Sequence, residues 1–260
     1  MILTVPPDVS RAATAEIRKT STLRAHWTLL ALCGAVGFVA TAVTAIMGSG
    51  PQEKQELATG TATIGVYLGS VVALGAAAVS AAIAAGGEYR HSGMSLTALF
   101  TPDRDLLFGA KMAVTAGYSL LLALAAEVGA ALGLLAFGRD EAEFGSRLAE
   151  VFGGGLLAAV CWGVIGAGLG LLLRAVVPAV AVLAGWLLIV EPLLWLVLQG
   201  IGIPGVAVLL PGSATISTVA VGSFPTSPFL PPSAAGLVIL VLWAAAAGSS
   251  AWWYLRTREI

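Results

Sequence analysis

The residues best suited to chemistry fall in two groups. The first is a polar stretch that runs from Gly87-Glu88-Tyr89-Arg90-His91 through Thr101-Pro102-Asp103-Arg104 to Lys111. It mixes acids, bases and an aromatic ring, and it encloses a short apolar run from Met94 to Phe100. Such residues, set between two long apolar segments, suit docking by another protein rather than bond-making. The second group is Glu127 and Glu191, two acids inside long apolar runs. An ionisable group at mid-membrane costs at least ~2.5 kcal/mol, so it is expected to face a cavity or a partner. Glu127 lies sixteen residues beyond Lys111 and Glu191 seventeen beyond Arg174, which places both at similar depth. Two readings stand for each acid. It lines a path across the membrane or holds an outer gate in its protonated state, or it is a protonated, hydrogen-bonded packing residue between helices. Glu191 precedes Pro192, which frees a backbone carbonyl and is expected to kink the helix.

Several chemistries have no residues to support them. There is no G-x-x-x-x-G-K-[ST] segment, so the chain is not expected to bind ATP in the P-loop manner. H-E-x-x-H and G-x-S-x-G are also missing, and no nucleophile, base or metal set converges. The two histidines, His26 and His91, make no metal site by themselves. Cys33 and Cys161 both lie in apolar runs, which argues against a disulfide framework. No basic run is interleaved with aromatics, so nucleic acid is not an expected partner. The chain is not expected to be an enzyme.

The elements that must carry these groups are membrane helices. The sequence is 58% hydrophobic and 10% charged, against about 25% charged in soluble domains. Its mean hydropathy is +0.95. A bilayer core of roughly 30 Å needs about 20 apolar residues per helix. Six runs qualify: Trp27 to Met47, Thr61 to Ala85, Leu106 to Phe137, Val151 to Leu173, Val176 to Gln199 and Gly236 to Tyr254. The third is over-long and is expected to tilt or to begin with an interfacial turn. With the N-terminus inside, the inner segments hold 10 of the 13 Lys and Arg residues and the outer segments 3. That bias places both termini in the cytoplasm.

Three local patterns refine this picture. Residues 1–26 are polar and carry no apolar core of a cleavable signal, so the first run is expected to remain as a helix. Within them, Val9 to Arg24 reads as an amphipathic helix on the inner membrane face, with Ser10 as its N-cap and Ile17 and Leu23 dipping inward. Between the fifth and sixth runs, prolines 204, 211, 225, 228, 231 and 232 forbid a continuous helix. This uncharged segment, 200–235, is expected to form short helices that re-enter the outer leaflet, one of them Ala214 to Val221 with Ser213 as its cap. Finally, Gly65 with Gly69, Gly129 with Gly133 and Gly166 with Gly170 form small-xxx-small faces suited to close helix packing.

Gly87-Glu88-Tyr89-Arg90-His91, then Leu99, Thr101-Pro102-x-Arg104 and Ala110-Lys111, resembles the cytosolic loop of ABC-2-type transporter permeases. Glu16-x-x-Lys19, followed by Leu23-Arg24 and Trp27, is similar to the interfacial helix that opens such permeases. The pattern departs at Met94, where many relatives place Thr soon after the glycine of this loop. The resemblance implies an all-α membrane protein of the bacterial cytoplasmic membrane: six transmembrane helices spanning residues 27–260, behind an interfacial helix in 1–26. It implies that the loop 86–105 forms a coupling helix, about Ser92 to Phe100, that docks on an ATPase subunit. Glu88, Tyr89, Arg90, His91, Pro102, Arg104 and Lys111 would then carry the coupling, and Glu127 and Glu191 stay candidates for the pathway on the grounds given above. It further implies two copies of the ATPase, which bind the ATP and Mg, and a second permease copy or a paralogue. The expected cargo is hydrophobic or amphipathic: a drug, a lipid-like molecule or an antimicrobial peptide. Two other classes stand beside this one. A proton-coupled secondary carrier would use Glu127 and Glu191, and would need an inverted repeat, which is not visible. A non-transporting scaffold or sensor subunit would need no ATPase.

Overall fold

A computed structural model describes residues 6–48, 64–90, 93, 97, 99, 103–138, 145–224 and 227–258. Among them there are helices and no strands. Six helical segments are long and apolar enough to cross a membrane: Arg24–Met47, Ile64–Arg90, Arg104–Phe137, Ser146–Leu173, Val176–Gly200 and Ser233–Thr257. The chain is a multi-pass membrane protein, and each span overlaps one of the six apolar runs. The third, α4 (Arg104–Phe137, 34 residues), begins with a capped turn: the Asp103 carboxylate accepts from the backbone N–H groups of Asp105 and Leu106. This cap starts the helix before the apolar run does.

A short helix, α1 (Pro7–Thr22), precedes the spans. It starts two residues before the expected start, because Pro7 sits at its first position, where a missing N–H costs nothing. Ser10 is therefore one turn inside the helix, its hydroxyl donating to the Pro7 carbonyl at 2.9 Å, and it does not cap. Ala12 and Glu16, one turn apart, form the buried face, while Ile17 and Leu23 are exposed. Leu23 is extended and turns the chain into α2 (Arg24–Gly48). The Trp27 indole N–H closes this corner on the Ser21 carbonyl at 2.8 Å.

The hub is α5 (Ser146–Leu173), which packs on α3 (Ile64–Arg90), α4 and the last helix, α9 (Ser233–Thr257). Missing side chains make these contacts possible. A Cβ on Gly170 would lie 2.7 Å from the Ala82 carbonyl oxygen, and one on Gly166 would collide with Ala78. Gly65 and Gly69 meet α2 in the same way, as do Gly129 and Gly133. All three glycine pairs thus form helix-to-helix contacts. Small faces of this kind let backbones approach closely where lipid supplies no hydrophobic drive.

The fifth span is a continuous helix that carries a π turn. It consists of α6 (Val176–Gly185), a π turn (Trp186–Val190) and α7 (Glu191–Gly200). Pro192 lacks an N–H and its ring crowds the carbonyl four residues back, and the widened turn before it relieves both problems. Beyond α7 come a 3₁₀ turn (Pro204–Leu209) and α8 (Pro211–Val219), which packs on α9 and α5.

Candidate functional site

Both described chain ends lie at one end of the bundle, and there four charged side chains meet. Glu16 and Lys19 come from α1 at i, i+3 spacing, Glu88 from the last turn of α3, and Lys111 from the third turn of α4. The Lys111 ammonium donates to Glu16 Oε2 at 3.0 Å and to Glu88 Oε1 at 2.7 Å. Lys19 donates to Glu16 Oε1 at 2.6 Å and to the same Glu88 oxygen at 2.9 Å. Two cations therefore bridge two carboxylates across three helices. The Lys111 side chain is 5% exposed and that of Glu16 9%. At such burial an ion pair is held only where geometry and hydrogen bonds compensate for lost hydration.

The connection between α3 and α4 is tied into this cluster. Thr97 is helical, and its hydroxyl donates to the Gly93 carbonyl at 2.8 Å. Lys19 Nζ reaches the Thr97 hydroxyl at 3.4 Å. Leu99, two residues on, is 78% exposed. A cavity of about 530 Å³ opens beside the cluster, walled by Glu16, Lys19, Glu88 and Lys111 and floored by Leu29, Ile83 and Val114.

The cluster sets the charge of its members. Burial alone would push the Glu16 carboxyl up. The Lys111 charge and the hydrogen bonds from Lys19 and Lys111 outweigh it, so the group is held below the ordinary carboxylate range. Burial would likewise pull the Lys19 ammonium down, but its bonds to Glu16 and Glu88 hold it above its usual value.

The other residues singled out in the polar stretch have separate surroundings. Arg104 Nη1 donates to the carbonyls of Leu255 at 2.9 Å, Arg256 at 3.3 Å and Arg258 at 2.8 Å. It satisfies carbonyls at the C-terminal end of α9, which have no partners within that helix. Its neighbour Asp105 pairs with Arg256 and accepts from the Trp252 indole at 2.8 Å. Tyr89 stacks under the Arg174 guanidinium, which also lies over Tyr254, with centroid distances of 5.4 and 5.0 Å. Arg174 itself is in the left-handed region (φ 50°) at the break between α5 and α6. Arg90 is exposed at the end of α3. His91 and Pro102 lie outside the described residues. Glu88 and Lys111 are thus brought together, while Tyr89 and Arg104 brace neighbouring helix ends.

The two membrane acids have unlike settings. Glu191 is 2% exposed. Its Oε2 accepts from the Trp186 indole at 3.1 Å and from the Gly212 N–H at 2.9 Å, and its Oε1 accepts from the Ser213 N–H at 2.7 Å. The cap of α8 is therefore Glu191, supplied from the fifth span. Ser213 instead accepts from the Trp195 indole at 3.0 Å. Glu127 packs between α3 and α5 beside Ser70 and Gly155, far along α4 from the charge cluster.

The residues of this site least visible as such were Glu16 and Lys19. They stood out only as part of the opening helix, and the available signal was their i, i+3 pairing on an otherwise weakly apolar face. Asp105 carried no signal beyond its charge. No protein-family model matches the chain, and no curated protein matches it.

Proposed function

We propose that the chain is the membrane permease subunit of an ATP-driven exporter, powered by a separate ATPase. The observation that carries this reading is the charge cluster. It joins the segment between α3 and α4 to α1 and to the long helix α4 through Thr97, Lys19, Glu88 and Lys111. Force applied to that segment is passed to two other elements at once, and Leu99 is presented beside it as an exposed apolar contact. A lever of this kind is useful to a permease that must borrow its energy, since rigid helices carry a local push across a packed bundle. In this reading the end with the charge cluster faces the cytoplasm of a bacterium, as the Lys and Arg bias favours. The 3₁₀ turn and α8 re-enter the outer leaflet, and a second permease copy or a paralogue completes the pathway. Two ATPase subunits bind the ATP and Mg. The cargo is hydrophobic or amphipathic.

The test is to purify the tagged full chain in mild detergent and identify what accompanies it. A stoichiometric soluble subunit with a P-loop, whose ATP hydrolysis is stimulated by candidate cargo in the complex, is the expected result. A chain that remains folded and alone would favour the carrier or scaffold readings and overturn this one.

A further inference from the structure

The two carboxyl groups inside the spans are a natural pair for comparison. Glu191 is well supplied with donors: three N–H groups point at its two oxygens. A carboxyl so placed needs no proton of its own, and a proton on Oε1 or Oε2 would turn an acceptor into a competing donor. Glu127 is the reverse. It is 5% exposed, and its Oε1 is buried with no hydrogen-bond partner. Ser70 offers no proton to it, since that hydroxyl donates to the Val66 carbonyl at 2.9 Å. Across from Oε1 stands Gly155, where an added Cβ would fall 2.6 Å from that oxygen and 3.8 Å from Ser70 Oγ. Tyr67, one turn from Ser70 on α3, has its hydroxyl paired with Ser223 at 3.3 Å. No ion pair given by the described residues includes Glu127, and they hold no cluster of three metal-ligating side chains.

An ionised carboxylate without donors or a counter-charge is strongly disfavoured away from water, and taking up a proton removes the charge. We propose that Glu127 is a proton-binding site inside the bundle, holding its proton in this conformation, while Glu191 holds a negative charge. The ligand class is the proton itself, because Gly155 leaves room for little else against Oε1. The inference goes beyond the exporter reading and stands whether or not an ATPase joins the chain.

A buried carboxyl that keeps its proton is open to a lipophilic carbodiimide. The acid O–H adds across one C=N bond: the proton goes to that nitrogen and the carboxyl oxygen bonds to the central carbon, giving an O-acylisourea. The acyl group then shifts from oxygen to nitrogen, giving a stable N-acylurea with no leaving group. The experiment treats the purified full chain in lipid vesicles with dicyclohexylcarbodiimide at neutral pH and maps the adduct by peptide mass. The expected result is an adduct on Glu127 and none on Glu191, lost in Glu127→Gln and retained in Glu191→Gln. Thermal melting supplies a second readout. Glu127→Gln matches the neutral acid in size and melts like the parent, whereas Glu191→Gln turns an amide toward donor N–H groups and melts lower. An unmodified Glu127, an adduct on Glu191 instead, or a Glu127→Gln variant that melts as low as Glu191→Gln would each overturn the proposal.

Discussion

Lys111 is the most consequential single residue in the charge cluster. It donates hydrogen bonds to both carboxylates and is almost wholly buried. Its loss leaves Glu16 and Glu88 facing each other with only Lys19, whose side chain is 41% exposed, between them. Breaking a buried pair by removing one partner costs about 3–5 kcal/mol, because a charge is left uncompensated. Lys111→Met is therefore expected to lower stability by about that amount, and adding Glu16→Gln to recover part of it, as read from thermal melts of the detergent-purified protein. The cluster also predicts a pH profile. Glu16 is depressed in the fold, so its contribution is present above the unfolded carboxylate value of about 4.3 and is lost as pH falls through the lower folded value. Lys19 is raised, so its contribution is present below about 10.4 and is lost as pH rises through the higher folded value. Melting temperature should hence be flat between those limits with respect to these groups, and Glu16→Gln should flatten the acid limb. An unchanged acid limb in that variant would count against the assignment.

At the scale of elements, close approach and end-capping decide the arrangement. On α4, Gly129 and Gly117 differ sharply although both are glycines in one apolar helix. A Cβ on Gly129 would lie 3.0 Å from the Phe38 nitrogen and closer still to Gly34, whereas one on Gly117 would meet nothing within 4 Å. Gly129→Ala is expected to destabilise by about 1–3 kcal/mol through overpacking. Gly117→Ala should instead gain about 0.5–1 kcal/mol from helix propensity. Thermal melts of the two variants side by side check the contrast, and equal effects would refute the packing account. The end caps are long-range. Glu191 holds the start of α8 from 21 residues away, and Arg104 holds the end of α9 from more than 150. A carboxylate at a helix N-terminus is favoured by the backbone dipoles as well as by the bonds themselves. The six spans and the glycine faces were readable beforehand because hydropathy and four-residue spacing are local properties. These caps were not, since no local pattern says which distant carboxylate or guanidinium will reach a helix end.

At the scale of the molecule, two polar joints stand at opposite ends of an apolar bundle with α5 at its centre. One joins α1, α3, α4 and the segment holding Thr97, and the other joins the fifth span to α8. Arg104 is engaged with α9, so reversing its charge would disturb that helix end and would be a poor probe of docking. Leu99 is the cleaner one, because its exposed side chain can be changed without opening the core. Under the exporter reading proposed above, Leu99→Asp should abolish cargo-stimulated ATP hydrolysis and co-purification with the ATPase while leaving the melting temperature of the isolated chain unchanged. Full stimulation in that variant would remove this segment from the coupling surface.

The amino-acid sequence by itself determined that the chain is a six-span helical membrane protein, where each span lies, which helix faces are small, and that the helix is disturbed at Pro192 and interrupted in the segment after the fifth span. These follow from transfer free energy, from the missing proline N–H and from the size of glycine, all of which act within a few residues. Only the tertiary structure decided that Glu16 and Lys19 share one cluster with Glu88 and Lys111. It alone made Glu191 a helix cap and left Glu127 Oε1 without a hydrogen-bond partner among the described residues. Which charges meet depends on how separate helices cross, and the net cost of a buried carboxyl depends on the donors that reach it. Neither is a property of the residue or its neighbours in the chain.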